Sequence, residues 1–158
     1  KDGVNAALLI CEMFAYYKTQ GKGLLEVLND LYDRYGYCLN TQHSCQFEGA
    51  AGFERMQEIM DQLRTHPPVQ EAGRKVVSVE DYKTQEKHFA DGRIEAIQGL
   101  PQSNVLKFWL EGGCSFVVRP SGTEPKLKLY FSVSGESRER VGELEMRLSA
   151  GLMKELGI

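Results

Sequence analysis

Apolar residues recur along this chain with two different periods. Between residues 4 and 17 (Val-Asn-Ala-Ala-Leu-Leu-Ile-Cys-Glu-Met-Phe-Ala-Tyr-Tyr) only Asn5 and Glu12 are polar. The stretch reads as a helix apolar around nearly its whole circumference, which calls for burial on several sides. Gly21 and Gly23 end it, and Lys18 falls in its last turn, where a cation suits the helix dipole. Leu24, Val27, Leu28, Leu31, Tyr32 and Tyr35 stand at helical spacing and predict a second helix over 24–35, closed by Gly36. Two such helices cannot bury their own apolar surface, and at about 25 cal/mol per Å² the unmatched side chains would be a liability for an isolated unit. The expectation is that a sheet lies beneath them with its strands before Lys1, so that the chain is a fragment.

Residues 37–48 alternate loosely and predict a strand or extended entry, with Cys38, Thr41, Ser44, Cys45 and Phe47 along it. Residues 49–63 predict a helix with a stripe of Phe53, Met56, Ile59, Met60 and Leu63, ended by Thr65-His66-Pro67-Pro68. Residues 75–81 predict a strand with Val77 and Val79 on one face. The polar run 83–102, punctuated by Gly92 and Gly99, reads as a long connection with at most one short strand. Three strands then follow, over 104–110, 114–119 and 127–133, the first two joined by a Glu111-Gly112-Gly113 turn. In the third, Leu127, Leu129, Phe131 and Val133 face the core, and Lys128, Tyr130 and Ser132 face away. Residues 136–156 predict a last helix that buries Val141, Leu144, Leu148 and Leu152. From about residue 38 this order predicts an α+β fold, an antiparallel sheet with helices packed on one face. There is no internal repeat and no low-complexity tract.

The chain has 158 residues, a net charge of −3 and a pI near 5.7, so no overall basic field invites nucleic acid or an anionic membrane. No apolar run is long enough for a bilayer. Cys11, Cys38, Cys45 and Cys114 show no CxxC spacing, which favours a reducing cytosol over a disulfide scaffold. His43, His66 and His88 lack metal-ligand spacing. Glu54, Glu58 and Asp61 beside Arg55 and Arg64 read as a solvated, salt-bridged helix face, and Glu80-Asp81 and Asp91 as isolated acids without a catalytic role. Of Phe108 and Trp109, one is expected in the core.

Against this acidic background stands Arg119-Pro120-Ser121-Gly122-Thr123-Glu124-Pro125-Lys126, at the tip of a hairpin between two strands. Two hydroxyls, a glycine, a guanidinium and an ammonium fall within eight residues. Ser121 and Thr123 offer hydroxyl donors, and Gly122 relaxes the φ restriction so that backbone N–H groups can turn inward. Arg119 offers a bidentate fork, and Lys126 or Lys128 a second positive charge. That is the chemistry of a phosphate site. The bland readings are a solvated turn, and an Arg119 that merely pairs with Glu124 or Glu111.

Residues 119–130, Arg-Pro-Ser-Gly-Thr-Glu-Pro-Lys-Leu-Lys-Leu-Tyr, resemble the C-terminal phosphate-binding loop of the α-D-phosphohexomutases, the phosphoglucomutase/phosphomannomutase family. The likeness extends over nearly the whole chain. Residues 1–37, opening Lys-Asp-Gly-Val, resemble the closing helices of the family's third α/β domain, and 38–158 its complete fourth domain. The resemblance implies a cytoplasmic enzyme that moves phosphate between the 1- and 6-positions of a hexose through a phosphoserine and a bisphosphorylated intermediate. It implies that Arg119, Ser121, Gly122, Thr123 and Lys128 grip the phosphate that is not being transferred, with Lys126 and Glu124 as possible additions. It also implies that the phosphoserine, the Mg²⁺ ligands and the sugar-reading glutamate belong to upstream domains of the same chain. No catalytic residue and no metal site are then expected here, and the fragment alone is expected to be inactive. The partners implied are the hexose phosphate, its bisphosphate and those upstream domains, with no nucleic acid and no membrane. Two rival readings are a free-standing phospho-ligand-binding module and an RNA-binding sheet, the latter disfavoured by the acidic pI.

Overall fold

The computed structural model describes residues 2–158; Lys1, where the Lys-Asp-Gly-Val resemblance begins, lies outside the described residues. The chain divides into two compact units, Lys1–Tyr37 and Cys38–Ile158.

In the first unit, α1 (Gly3–Thr19) starts at Asp2, whose carboxylate accepts the Asn5 N–H at 2.9 Å. It ends at Gln20, ahead of Gly21 at φ +72°. α2 (Leu24–Tyr35) is held at its start by the Gly23 N–H donating to Glu26 at 2.7 Å, and Gly36 closes it. Neither helix has a buried residue. The burial that the composition of α1 demands is not supplied among the described residues, and Leu8, Leu9 and Ile10 are all more than half exposed.

The second unit is built on strands β1 (Tyr37–Gln46), β2 (Gln70–Glu71), β3 (Arg74–Asp81), β4 (Glu86–Phe89), β5 (Ile94–Ala96), β6 (Leu106–Leu110), β7 (Ser115–Pro120) and β8 (Lys126–Gly135). They order as β1-β8-β7-β6-β3-β4-β5, with β2 beside β3. The pairs β2–β3, β3–β4, β3–β6, β4–β5, β6–β7 and β7–β8 are all antiparallel. Helices α3 (Gly49–Thr65) and α4 (Arg138–Leu156) supply the other half of the core. The α+β architecture is therefore as the sequence predicts.

The core face of β6, β7 and β8 alternates as the period-2 rule requires. Leu127, Leu129, Phe131 and Val133 are buried, while Lys128, Tyr130 and Ser132 are half-buried on the opposite face. Phe108, Phe116 and Phe131 are register partners on three successive strands, with ring centroids 4.5 and 6.3 Å apart. Full burial of each such ring contributes about 1.5–3 kcal/mol. Phe108 is the core residue of its pair, and Trp109 lies on the far face.

Several details differ from the sequence reading. The polar stretch 83–102 holds two short strands, β4 and β5, instead of at most one. Val77 and Val79 do not share a face, because an irregularity between Val76 and Ser78 shifts the register of β3 against β6. The stripe of α3 runs through Gly52, Met56, Ile59, Met60 and Leu63, with Phe53 at 39% exposure on its flank. Gly52 takes that place because a Cβ there would stand 2.7 Å from Phe47 Cβ. In α4, Leu144 is only half-buried, and Ser149 and Leu156 complete the buried face. Arg64 is not a surface charge: its Nε donates to buried Asp81 at 2.9 Å and its Nη2 to Asn104. Asp81 is thus tied to helix α3, not isolated.

Candidate functional site

Strands β7 and β8 deliver the 119–128 segment. Their register places Arg119 opposite Lys128 and Pro120 opposite Leu127. Paired residues of an antiparallel ladder share a face, and Leu127 and Leu129 are in the core. Arg119 and Lys128 therefore project from the face away from the helices. Neither side chain makes an ion pair or hydrogen bond with any described residue. The pairing of Arg119 with Glu124 or Glu111 is absent. Glu124 is held instead by Lys126, Nζ to Oε2 at 3.0 Å.

The loop between them is closed by the Ser121 N–H donating to the Lys126 carbonyl at 2.8 Å, and by the Lys126 N–H donating to the Glu124 carbonyl at 2.7 Å. Ser121 Oγ accepts the amides of Thr123 and Glu124 at 3.4 and 3.3 Å. Those distances are long for N–H···O bonds, so both donors can be recruited by a stronger acceptor. Ser121 accepts in these contacts, which leaves its own O–H proton to donate outward. The N–H of Gly122 has no partner among the described residues.

Gly122 differs from the sequence expectation. Its φ lies outside the left-handed region, and a Cβ built on it meets nothing within 4 Å. The loop therefore has no backbone need for glycine here. What the missing side chain provides is open space above an unpartnered N–H.

The seven sequence-predicted residues thus separate. Arg119, Ser121, Gly122, Thr123 and Lys128 gather unengaged charge and donors at one rim of the sheet. Lys126 and Glu124 neutralise one another. Two cations paired on the sheet face at the base of a loop that carries hydroxyl and amide donors suit a tetrahedral dianion.

Lys107 neighbours this site, which the sequence alone does not show. It pairs with Val117, which pairs with Tyr130, so the three form the next row on the same face. Its position between Leu106 and Phe108 gives its face, but only the strand pairing shows that the row adjoins Arg119 and Lys128. Farther along that face, burial pushes the Glu80 carboxyl up, but the Tyr82 hydroxyl, Trp109 Nε1–H and Lys87 together hold it below its usual value.

Among the described residues no group of three or more His, Cys, Asp or Glu could hold a metal ion, and no helix is long and apolar enough to cross a membrane. Cys11, Cys45 and Cys114 are free thiols. The clefts of about 290 Å³ lie at the other end of the sheet, lined by Pro67, Val79 and His88 among others.

The profile of the phosphoglucomutase/phosphomannomutase C-terminal domain matches residues 67–150, more than half of the 158. The chain is similar to the phosphoglucomutase of Staphylococcus haemolyticus (strain JCSC1435), at 35% identity over 143 residues, which is 90% of this chain and 26% of that protein. It is also similar to the phosphoglucomutase of Staphylococcus aureus (strain bovine RF122 / ET3-1), at 36% identity over 133 residues, 84% of this chain and 24% of that protein. It spans about a quarter of the length of these relatives. The crystal structure of pp63/parafusin (phosphoglucomutase), an exocytosis-sensitive phosphoprotein from Paramecium, in its open form, shares the fold. That match has a TM-score of 0.57 and covers 99% of this chain and 26% of that one, at 16% identity. With its C-terminal unit matched by this profile, the chain belongs to the phosphoglucomutase/phosphomannomutase C-terminal domain family.

Proposed function

We propose that this chain supplies the substrate-phosphate grip of a phosphohexomutase that interconverts hexose 1-phosphate and 6-phosphate. The observation that carries the reading is that Arg119 and Lys128 stand opposite one another on one sheet face without an acid partner. Such an arrangement is electrostatically unfavourable until an anion arrives. Arg119 takes the phosphate bidentately, Lys128 adds charge, and Ser121, Gly122 and Thr123 add hydroxyl and amide donors. Lys126 and Glu124 set the shape of the loop.

The phosphoserine, the Mg²⁺ of the reaction and the glutamate that reads the sugar belong, in this reading, to other domains of the whole protein. Residues 1–37 are then closing helices of a third domain, and 38–158 a fourth domain. The open rim suits a site completed by another surface, and positioning of this kind is worth several kcal/mol of barrier in enzymes. The free thiols of Cys11, Cys45 and Cys114 suit a cytoplasmic location. The free-standing module is disfavoured, since it requires residues 4–35 to hide their apolar side chains, and Val4, Leu8 and Leu25 are 84, 65 and 77% exposed.

The test is Arg119→Ala in the whole enzyme. KM for hexose phosphate should rise strongly and kcat/KM fall, while the 158-residue chain alone shows no mutase turnover. Unchanged kinetics would refute the assigned grip.

A further inference from the structure

A cleft of about 500 Å³ opens between the β2–β3 turn and the first turns of α4. Its walls carry Arg74 from β3 and Arg140 and Arg147 from α4, with Glu143 and Leu144 between them. Ala72 and Gly73, at φ +49° and +80°, close β2 on β3 in two residues. Alanine adopts that left-handed conformation reluctantly, and α4 holds the turn: Arg147 Nη2 donates to the Ala72 carbonyl at 2.9 Å. The cleft is remote from residues 119–128. Arg74 is bonded to the β6–β7 turn, and that turn and Pro120 stand at opposite ends of β7, a strand about 17 Å long.

The three arginines do not share one role. Arg140 is an ordinary helix-surface charge, paired with Glu136 one turn earlier at 2.7 Å. Arg74 and Arg147 are each anchored by a backbone carbonyl instead. Arg74 Nη1 donates to the Glu111 carbonyl at 2.6 Å, as Arg147 does to that of Ala72. A carbonyl fixes a guanidinium in place but leaves its charge uncancelled and its other N–H groups available. Nearby acids are passed over. The Glu111 carboxylate takes the Lys75 N–H at 3.3 Å. Glu143 stands one turn before Arg147, at a spacing that ordinarily pairs them, yet neither it, Arg147 nor Arg74 makes an ion pair with any described residue. Glycine lies against both guanidiniums. A Cβ on Gly112 would collide with that of Arg74, and one on Gly73 would rest 3.7 Å from Arg147 Nη2, so each is left uncovered on that side.

Two fixed guanidiniums with unused donors line one concave cleft, in a chain of net charge −3. Their complement is an oxyanion. The cleft is larger than a bare ion needs and falls in the ordinary range of small-molecule sites. Leu144, half-buried in its wall, offers apolar surface to an organic body. We propose that this cleft is a separate oxyanion site, in which Arg74 and Arg147 take the carboxylate or phosphate of a small organic acid, apart from the grip at 119–128. Glu143 limits the charge of that ligand. It lines the same cleft unpaired, so each further negative group on the ligand meets its repulsion.

The 158-residue chain is titrated with sodium benzoate and with inorganic phosphate, with sodium chloride at matched ionic strength as the control. The amide resonances of residues 72–74 and the side-chain Nε–H signals of Arg74 and Arg147 are followed. Saturable shifts there with either probe, absent with chloride, are expected, and the tighter probe identifies the acidic group. Arg74→Gln and Arg147→Gln should each weaken binding about tenfold or more. Arg147→Lys, which keeps the charge but loses the fork, should fall in between. Glu143→Gln should bind about two- to threefold tighter, because it removes the repulsion. Arg147→Gln also releases the Ala72 carbonyl, so Arg74→Gln, which leaves that bond in place, is the independent check. Arg119→Ala should abolish the phosphate shifts at 119–124 and leave those at 72–74 intact. Shifts at 72–74 that chloride reproduces, undiminished affinity in both glutamine variants of the arginines, or weaker binding by Glu143→Gln would overturn the site. Loss of the 72–74 shifts in Arg119→Ala would overturn its separation from the grip.

Discussion

Arg119 and Lys128 face each other across β7 and β8 as register partners, two like charges with no acid between them. Directly opposed like charges destabilise a sheet by a few tenths of a kcal/mol to about 1 kcal/mol. A fold selected only for stability has no use for the pair, whereas an anion converts it from a cost into a site.

Removing either charge should separate stability from binding. Lys128→Ala is expected to leave thermal stability unchanged or slightly raised, by about 0.5 kcal/mol. Phosphate affinity should fall about ten- to a hundredfold, the range of a lost hydrogen bond to a charged group. Melting curves of the 158-residue chain, with phosphate titrations followed by amide resonances, measure both. A variant that melts earlier and binds phosphate as before would show that the pair is structural.

Gly122→Ala makes a sharper division. The φ at Gly122 is one that alanine adopts freely, and its Cβ would meet nothing within 4 Å. Replacing glycine by alanine at a compatible position stabilises by about 0.4–1 kcal/mol through the unfolded chain. The same methyl group occupies the space above the unpartnered Gly122 N–H, where an anion has to approach. The expected result is a protein at least as stable that binds phosphate more weakly. Undiminished binding would mean that the anion does not contact this part of the backbone.

How far the chain could be read without coordinates depended on whether local pattern or tertiary pairing decides the outcome. The alternation of Leu127, Leu129, Phe131 and Val133 is local, and β8 follows it residue for residue. The β4–β5 hairpin left no such pattern, because all three residues of β5 are exposed and no buried face constrains their sequence. Val77 and Val79 look equivalent by period 2 until the register shift against β6 separates them. Arg64 reads as a surface cation from its helix neighbours alone. Only the fold brings Asp81 and Asn104 to it from other segments. At the site, residue types announce the chemistry, but not that Glu124 takes Lys126 and leaves Arg119 free.

Stability should also depend on pH through Glu71, a buried acid on β2. Burial first, then repulsion and a shared hydrogen bond with Glu155, push its carboxyl up to about 6 from an ordinary 4.5. A group whose pKa is raised on folding stabilises the protonated fold. Its contribution is complete below about 4.5 and lost as pH rises through about 6. Glu80 is shifted the other way, and its contribution is lost only as pH falls below 4.5, outside this window. Glu71→Gln is therefore expected to raise stability near pH 7 by up to about 2 kcal/mol and to flatten the slope between pH 4.5 and 7. Urea unfolding at several pH values tests this. An unaltered slope in the variant would place the pH dependence elsewhere.

Gly151 shows why that acid is tolerated. It sits inside α4, where glycine costs roughly 0.5–1 kcal/mol relative to alanine. A Cβ there would fall 2.5 Å from Glu71 Oε1. The neighbouring Arg147 donates to the Ala72 carbonyl at 2.9 Å, so the β2 turn is fastened to the helix immediately beside Glu71. Helix propensity alone says that Gly151→Ala should stabilise, and packing says that the new methyl group must displace the carboxylate. The packing cost should prevail, giving a net loss of about 1–2 kcal/mol, in the range of overpacked sites. Glu71→Ala removes the obstructing group, and in that background Gly151→Ala should become neutral or stabilising. The double-mutant cycle therefore carries a coupling of about 1 kcal/mol or more, as contacting residues do. Additive effects would mean that the carboxylate swings clear at no cost, and that glycine at 151 serves no contact with Glu71.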